Sequence, residues 1–309
     1  MTESQLSLMR KAKKTWGWGV LIVGCGAVGR RLAARTRQRD AAVHCWVRTP
    51  AHAAELNAQG YPAQAVDLDH TLPPLAGEWD RAQVCYLAPP PSSGQTDPRM
   101  ERFLAALPDA GRRRILYIST TGVYGDCGGD WVDERRPARP QVDRARRRHD
   151  AEQQLTAWRA AGRGEVVILR VAGIYGPGKL PLERLQRGLP MVDAAEAPWT
   201  NRIHIDDLVA TCEAAMERGR DGEVYNVSDG TPGNMRDYFD RVAALYRLPR
   251  APSIRLADAD QRLSQGLMSY LRESRRLDNR KMLEELEVIL RYPDLETGLA
   301  ACVAGESGR

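Results

Sequence analysis

Short apolar runs alternate with amphipathic stretches through the first 170 residues. Trp16 to Val23 is an apolar run ending at a glycine, and Val28 to Arg39 has the helical spacing of an amphipathic segment studded with arginine. Ala42 to Val47 predicts a strand, Pro50 to Gln59 a helix stopped by Gly60, and Ala63 to Leu68 a further short strand. The pattern repeats in Gln83 to Ala88 (strand), a Pro/Ser/Gly loop at Pro89 to Gly94, a helix over Arg99 to Leu107, and Arg114 to Ser119 (strand). A Gly- and Pro-rich stretch, Gly122 to Pro140, exceeds usual connection lengths and is a candidate functional loop. Behind it, Gln141 to Ala161 predicts a helix and Glu165 to Leu169 a sixth strand. Strands alternating with helices predict an α/β fold, a doubly wound parallel sheet covered on both faces.

Beyond Gly173 the alternation weakens. Pro177, Gly178, Pro181, Gly188, Pro190 and Pro198 interrupt the chain before Arg202 to Asp207 opens another helix, with Asp206 or Asp207 as its N-cap. Glu223 to Val227 predicts a last strand returning to the sheet, and Met235 to Tyr246 and Arg280 to Leu286 predict helices of a smaller lobe. Arg255 to Arg276 is the least legible part. The expected division is a dinucleotide-binding domain over 17–174, with 203–230 returning to it. A small C-terminal substrate lobe takes 175–202 and 231–300, and 1–16 is a flexible leader.

Composition narrows the function classes. Over 309 residues, 43% hydrophobic and 28% charged is a globular balance, and a formal net charge of +5 is too mild to point to nucleic acid. The densest basic cluster, Arg144 with Arg146 to Arg148, is flanked by acids and has no interleaved aromatics, so it reads as a solvated helix face. Six cysteines without a C-x-x-C pair read as buried thiols of a reducing compartment, and with no long apolar stretch the expectation is a soluble cytoplasmic protein with no membrane partner. No set of His, Cys and carboxylates has metal-ligand spacing, so no metal is expected.

The chemistry begins at Gly24-Cys25-Gly26-Ala27-Val28-Gly29, between a strand and a helix. In a G-x-G-x-x-G turn the first glycine permits the tight bend, the second lets backbone approach a pyrophosphate, and the third lets helix and strand pack closely. The motif's context predicts a Rossmann-type domain. At the end of the second strand an NAD site would place an Asp or Glu for the ribose 2′-hydroxyl, whereas this chain has Arg48-Thr49. A guanidinium there favours a 2′-phosphate, hence NADP, with NAD as the other possibility. Asp67 and Leu68 after the third strand, and Leu87 and Ala88 after the fourth, fall where adenine and ribose would lie.

Four ordered blocks carry a resemblance: Gly24 to Gly29, Ser119 to Gly125, Arg170 to Gly178, and Arg202 to Asp207. Together they resemble the extended short-chain dehydrogenase/reductase superfamily, and within it the atypical YeeZ-like group of NAD-dependent epimerase/dehydratase proteins. The resemblance spans roughly residues 18 to 300. It implies that Thr120 hydrogen-bonds the reacting hydroxyl or carbonyl, that Ala172 and Gly173 join the cofactor-binding set, and that a homodimer is possible.

It also exposes a departure. The superfamily's general base is a Tyr in Tyr-x-x-x-Lys at the start of the helix after the long loop, and this motif is missing here. Counting back from Ala151-Glu152 places Arg144 and Arg148 at the Tyr and Lys positions, and counting forward from Pro140 places Gln141 and Ala145 there. Arginine keeps its proton and glutamine does not titrate, so neither can abstract one. Arg144 and Arg148 could act electrostatically. Tyr124, Tyr175, Asp126, Asp130 and Asp133 are the remaining acid/base candidates, with packing and turn roles as their alternatives, and His204 reads as structural. Two functions follow as expectations. One is an NAD(P)-dependent oxidoreductase or epimerase/dehydratase-like enzyme acting on a small polar, sugar-derived substrate, with Thr120 orienting it. The other is a non-catalytic NADP(H) sensor that passes redox state to a protein partner.

Overall fold

The computed structural model describes residues 19–70, 72, 75, 82–108 and 113–306. The leader 1–16, and with it the start of the Trp16 to Val23 run, lies outside the described residues. Seven strands form one sheet: β1 (Val20–Val23), β2 (Val43–Val47), β3 (Ala63–Ala65), β4 (Gln83–Tyr86), β5 (Arg114–Thr120), β6 (Glu165–Val171) and β7 (Val224–Val227). Their order is β7-β6-β5-β4-β1-β2-β3. β1 sits between β2 and β4 and runs parallel to both, Ile22 opposite Cys45 on one side and Cys85 on the other. The order reverses beside β1, and such a switch point leaves a crevice at the carboxyl ends of the strands. All four residues of β1 are buried, as a strand covered by helices on both faces requires.

The flanking helices are α1 (Ala27–Gln38), α2 (Pro50–Ala58), α3 (Pro98–Ala106) and α4 (Asp143–Ala160). α1 buries Gly29, Leu32, Ala33 and Thr36, and α3 buries Met100, Phe103 and Leu104, both at the three- and four-residue spacing of a helix face. Thr49 caps α2 and Asp97 caps α3, each followed by a proline already set for a first helical turn. Tyr86, Phe103 and Tyr117 pack with Trp46 and Trp158 in the core under this side of the sheet.

Two units emerge from the chain's own contacts. One comprises the chain to Thr120 with Asp143–Arg170 and Val209–Val224, and the other Thr121–Val142, Val171–Leu208 and Tyr225–Arg309. The second has its own core around Met191, Val192, Phe239, Val242 and Leu271. There the long loop is ordered by pairing. Trp131–Val132 runs parallel to Arg276–Leu277, and Cys127 and Gly129 donate their N–H groups to the Ser274 carbonyl. The helix after the Arg-Ile-His block, α5 (Ile205–Arg218), starts earlier than its sequence suggests, so Asp206 and Asp207 lie inside its first turn. His204 Nδ1 takes the capping place, accepting from the Asp206 N–H at 3.2 Å, and Asp207 instead accepts from the N–H groups of Arg291 and Tyr292. Among the described residues no helix is long and apolar enough to cross a membrane, and all six cysteines are buried.

Candidate functional site

The turn between β1 and α1 uses its three glycines for three reasons. Gly24 has φ of +92°, and a Cβ there would sit 2.6 Å from the Ala88 nitrogen. At Gly29 a Cβ would press on the Gly24 carbonyl and the Ile22 side chain, each at 3.1 Å. At Gly26 nothing lies within 4 Å, so no packing neighbour demands glycine there, and what the missing side chain leaves is open space above the helix start. Gly24 and Cys25 donate to the Trp46 carbonyl at 2.9 and 3.2 Å, which fixes the turn. Unlike α2 and α3, α1 has no side-chain cap, and it carries no acid in its first turn. Its first N–H groups and positive dipole end, beside exposed Gly26 and Ala27, suit an anion.

At the end of β2, Arg48 is exposed, and its guanidinium has no hydrogen-bond or ion-pair partner among the described residues. Thr49 is occupied as the α2 cap, its hydroxyl accepting the His52 N–H. Asp67 and Leu68 do not end β3. That strand stops at Ala65, and Asp67 turns the chain by accepting the Asp69 N–H at 3.0 Å, while Leu68 is buried. Asp69 is held by Arg99, whose hydrogen bonds keep its carboxyl below the usual range. Leu87 donates to the Val23 carbonyl, and Ala88 forms the wall against Gly24.

β5 ends at Thr120, half-buried, beside fully buried Tyr117 and Ser119. The arginine cluster on α4 is not the solvated face its flanking acids suggested. Arg146 pairs with Asp143, but Arg147 is buried and donates to the Gly94 carbonyl at 2.6 Å. Arg148 turns onto the sheet, donating to the carbonyl of Ile118 at 2.8 Å, the Tyr117 hydroxyl at 3.2 Å and the carbonyl of Ala88 at 3.4 Å. Arginine tolerates this position because its stem packs while its fork finds strand-end acceptors. Arg144, four residues earlier, is half-buried. Burial pushes the Tyr117 phenol up to about 12, against the pull of Arg148. One turn further on, buried Glu152 accepts from Ser119 Oγ at 2.5 Å and from Arg170 at 2.7 and 3.2 Å. Burial alone would raise its pKa, and the nearby His149 ring with the bonds from Arg170 and Ser119 outweighs it, holding the carboxyl below its ordinary value.

In the second unit Tyr124 is buried, and its hydroxyl donates to Asn226 Oδ1 at 2.7 Å. The Asn226 amide in turn donates to the carbonyls of Val132 and Asp278, and its backbone N–H goes to Glu134. Sequence reasoning missed this hub. No local pattern marks a residue that gathers partners from positions far apart in the chain. The loop walls a cavity of about 690 Å³ lined by Tyr124, Trp131, Arg135, Arg136, Arg139 and Asp278. Of the loop aspartates, Asp126 accepts two backbone N–H groups, Asp130 pairs with Arg136 and Asp133 with Arg135. Tyr175 is buried against His204 and Tyr238, with its phenol pushed well above the usual tyrosine range by burial. Ala172 donates to the Val227 carbonyl, and Gly173 is exposed. Among the described residues no three His, Cys, Asp or Glu side chains gather as a metal site.

The chain is similar to known proteins in sequence and fold. The model of the NAD dependent epimerase/dehydratase family matches residues 99–228, and that of ketopantoate reductase PanE/ApbA matches residues 20–85. A solved structure, a functionally unknown conserved protein from Silicibacter pomeroyi DSS, is 31% identical with a TM-score of 0.79, covering 93% of this chain and 98% of that one. The chain belongs to the NAD-dependent epimerase/dehydratase family. It is an atypical extended short-chain dehydrogenase/reductase. Protein YeeZ of Escherichia coli (strain K12) is 27% identical over 182 residues, 59% of each chain, so the match spans less than two thirds of that relative's length. MoeE5, solved in complex with UDP-glucose and NAD, shares the fold at 22% identity and a TM-score of 0.73, covering 94% of this chain and 99% of that one.

As a member of that family the chain is notable for what stands on α4. Gln141 is exposed before the helix begins, and Ala145 is fully buried. Arg148 reaches the ends of two sheet strands as a fixed cation.

Proposed function

We propose that this chain is an NADP(H)-binding oxidoreductase or epimerase/dehydratase-like enzyme acting on a small polar substrate without a Tyr-x-x-x-Lys pair. The observation that carries the reading is the β1–α1 turn, where an uncapped helix start opens on free space at Gly26. Residues Gly24 to Gly29 would hold the pyrophosphate by backbone N–H groups, with Ala88 as the facing wall. Arg48, exposed and without a protein partner, would take the 2′-phosphate as a bidentate donor, while Thr49, Asp67, Leu68 and Leu87 shape the adenosine end. When bound, such a dinucleotide supplies or accepts hydride. Arg148 contributes a fixed positive charge at the strand ends, able to hold a ribose hydroxyl or stabilise an oxyanion, and Thr120 orients the substrate oxygen.

The test is a fluorescence titration of wild type and Arg48→Ala with NADPH and NADH. Loss of one charge-assisted phosphate contact should weaken NADPH by about tenfold or more and leave NADH unchanged. Equal weakening of both would remove the 2′-phosphate assignment.

A second reading, a sensor of the NADPH/NADP ratio that binds a protein partner, is favoured by one observation. Tyr124 and Tyr175 are both buried, and neither phenol is exposed as a proton carrier. Substrate-dependent change in absorbance at 340 nm over a panel of carbonyls, alcohols and nucleotide sugars supports the enzyme. No change, together with unequal affinity for the two redox forms, supports the sensor, because a ligand shifts only states it binds differently.

A further inference from the structure

Among the described residues, Arg147, Arg148 and Arg170 turn inward onto carbonyls or a carboxylate, and the Arg202 guanidinium makes no such bond. It lies on the short strand Arg202–His204, which pairs in parallel with Gly173–Tyr175 so that Arg202 stands opposite Gly173. Its guanidinium stacks on the Tyr238 ring, the central carbon 3.8 Å from the centroid. Among the described residues it makes no hydrogen bond or ion pair, although the side chain is half-buried and its nitrogens keep contact with solvent. The space it occupies exists because residue 173 is glycine. A Cβ there would stand 2.8 Å from Nη1.

Asp229 acts on the guanidinium through space only, without a direct ion pair. Asp229 donates its own N–H to the Arg202 carbonyl, but its carboxyl is committed to the Thr231 N–H and forms no ion pair with Arg202. Burial also pushes Asp229 up to about 7, so that carboxyl is largely uncharged in mildly acid solution. A planar fork, stiffened by an aromatic ring below, stripped of part of its water and with no hydrogen bond or ion pair among the described residues, is a receptor for an oxyanion.

We infer that Arg202, supported by Tyr238 and given room by Gly173, binds a carboxylate or phosphate group of the molecule this protein acts on. Binding of the anion stands by itself. Its assignment to the substrate rests on reading the protein as an enzyme with a small polar substrate, and it narrows that substrate to an anionic one.

The measurement is NMR of protein labelled in its arginine side chains, following the Arg202 Nε–H resonance, which the Arg202→Lys variant identifies by its disappearance. Should that variant fail to fold, Tyr238→Leu identifies the same resonance, because loss of the ring beneath it shifts the signal. Inorganic phosphate, acetate and neutral acetamide are titrated in parallel at constant ionic strength. The expected result is a saturable shift with phosphate or acetate and none with acetamide, the responding anion naming the group. Gly173→Ala should weaken that response by about tenfold, by displacing the guanidinium. No saturable shift, or an equal response to acetamide, would overturn the inference. NADPH fluorescence is read on the same samples. Anion binding without NADPH binding would overturn the dinucleotide reading and leave this site standing, and the converse would remove this site alone.

Discussion

Asp229 carries the clearest pH signature of any single residue. Burial, opposed by the Thr231 N–H and by Arg202, raises its pKa from an ordinary 3.8 to about 7. The sign follows from linkage. Between these two values the folded protein holds a proton that the unfolded chain has released, so stability falls as pH rises through that window. The cost is absent below about 4, complete above about 7, and amounts to a few kcal/mol on the order of 1.4 per unit. Urea unfolding of Asp229→Asn from pH 4.5 to 8 should show a flatter profile than wild type. Parallel profiles would mean that Asp229 ionises in the folded state as it does in the unfolded chain. Arg48 is the opposite kind of residue, exposed and unpartnered, and its effect belongs to binding: Arg48→Ala should leave stability within about 0.5 kcal/mol of wild type.

Among the elements, α4 shows where sequence reading runs out. The strands and helices around β1 were legible because their periodicity and caps are local, in the buried run of β1 and in Thr49-Pro50 and Asp97-Pro98. α4 reads as a polar helix because its buried face includes Arg147 and Glu152 with Ala151, Leu155 and Trp158. Those charges are inside because Gly94, Ser119 and Arg170 supply partners, and such partners come from distant parts of the chain. The His204 cap and the Asn226 hub escaped for the same reason. The buried Glu152 and Arg170 pair makes a prediction for this element. Glu152→Gln leaves a guanidinium in the interior without its counter-charge and should cost about 3–5 kcal/mol in denaturant unfolding. A loss under about 1 kcal/mol would mean that water reaches the pair.

At the scale of the whole molecule, the chain divides into one unit that holds most of the seven-stranded sheet and another with a separate core. The fold shared with solved relatives accounts for the strand order, and the absent Tyr-x-x-x-Lys pair separates binding from turnover as questions. Binding comes first, and the glycine turn decides it. Of the three glycines, only Gly26 has room for a methyl group, which would meet no neighbour within 4 Å. Substituting it therefore distinguishes a glycine kept for the fold from one kept for a ligand. The measurement is NADPH titration of Gly26→Ala alongside thermal unfolding. Affinity should fall by about tenfold or more, with Tm unchanged to within about 2 °C, because the new methyl stands only where a pyrophosphate would approach the helix start. Unchanged NADPH affinity in a normally folded Gly26→Ala protein would contradict the account.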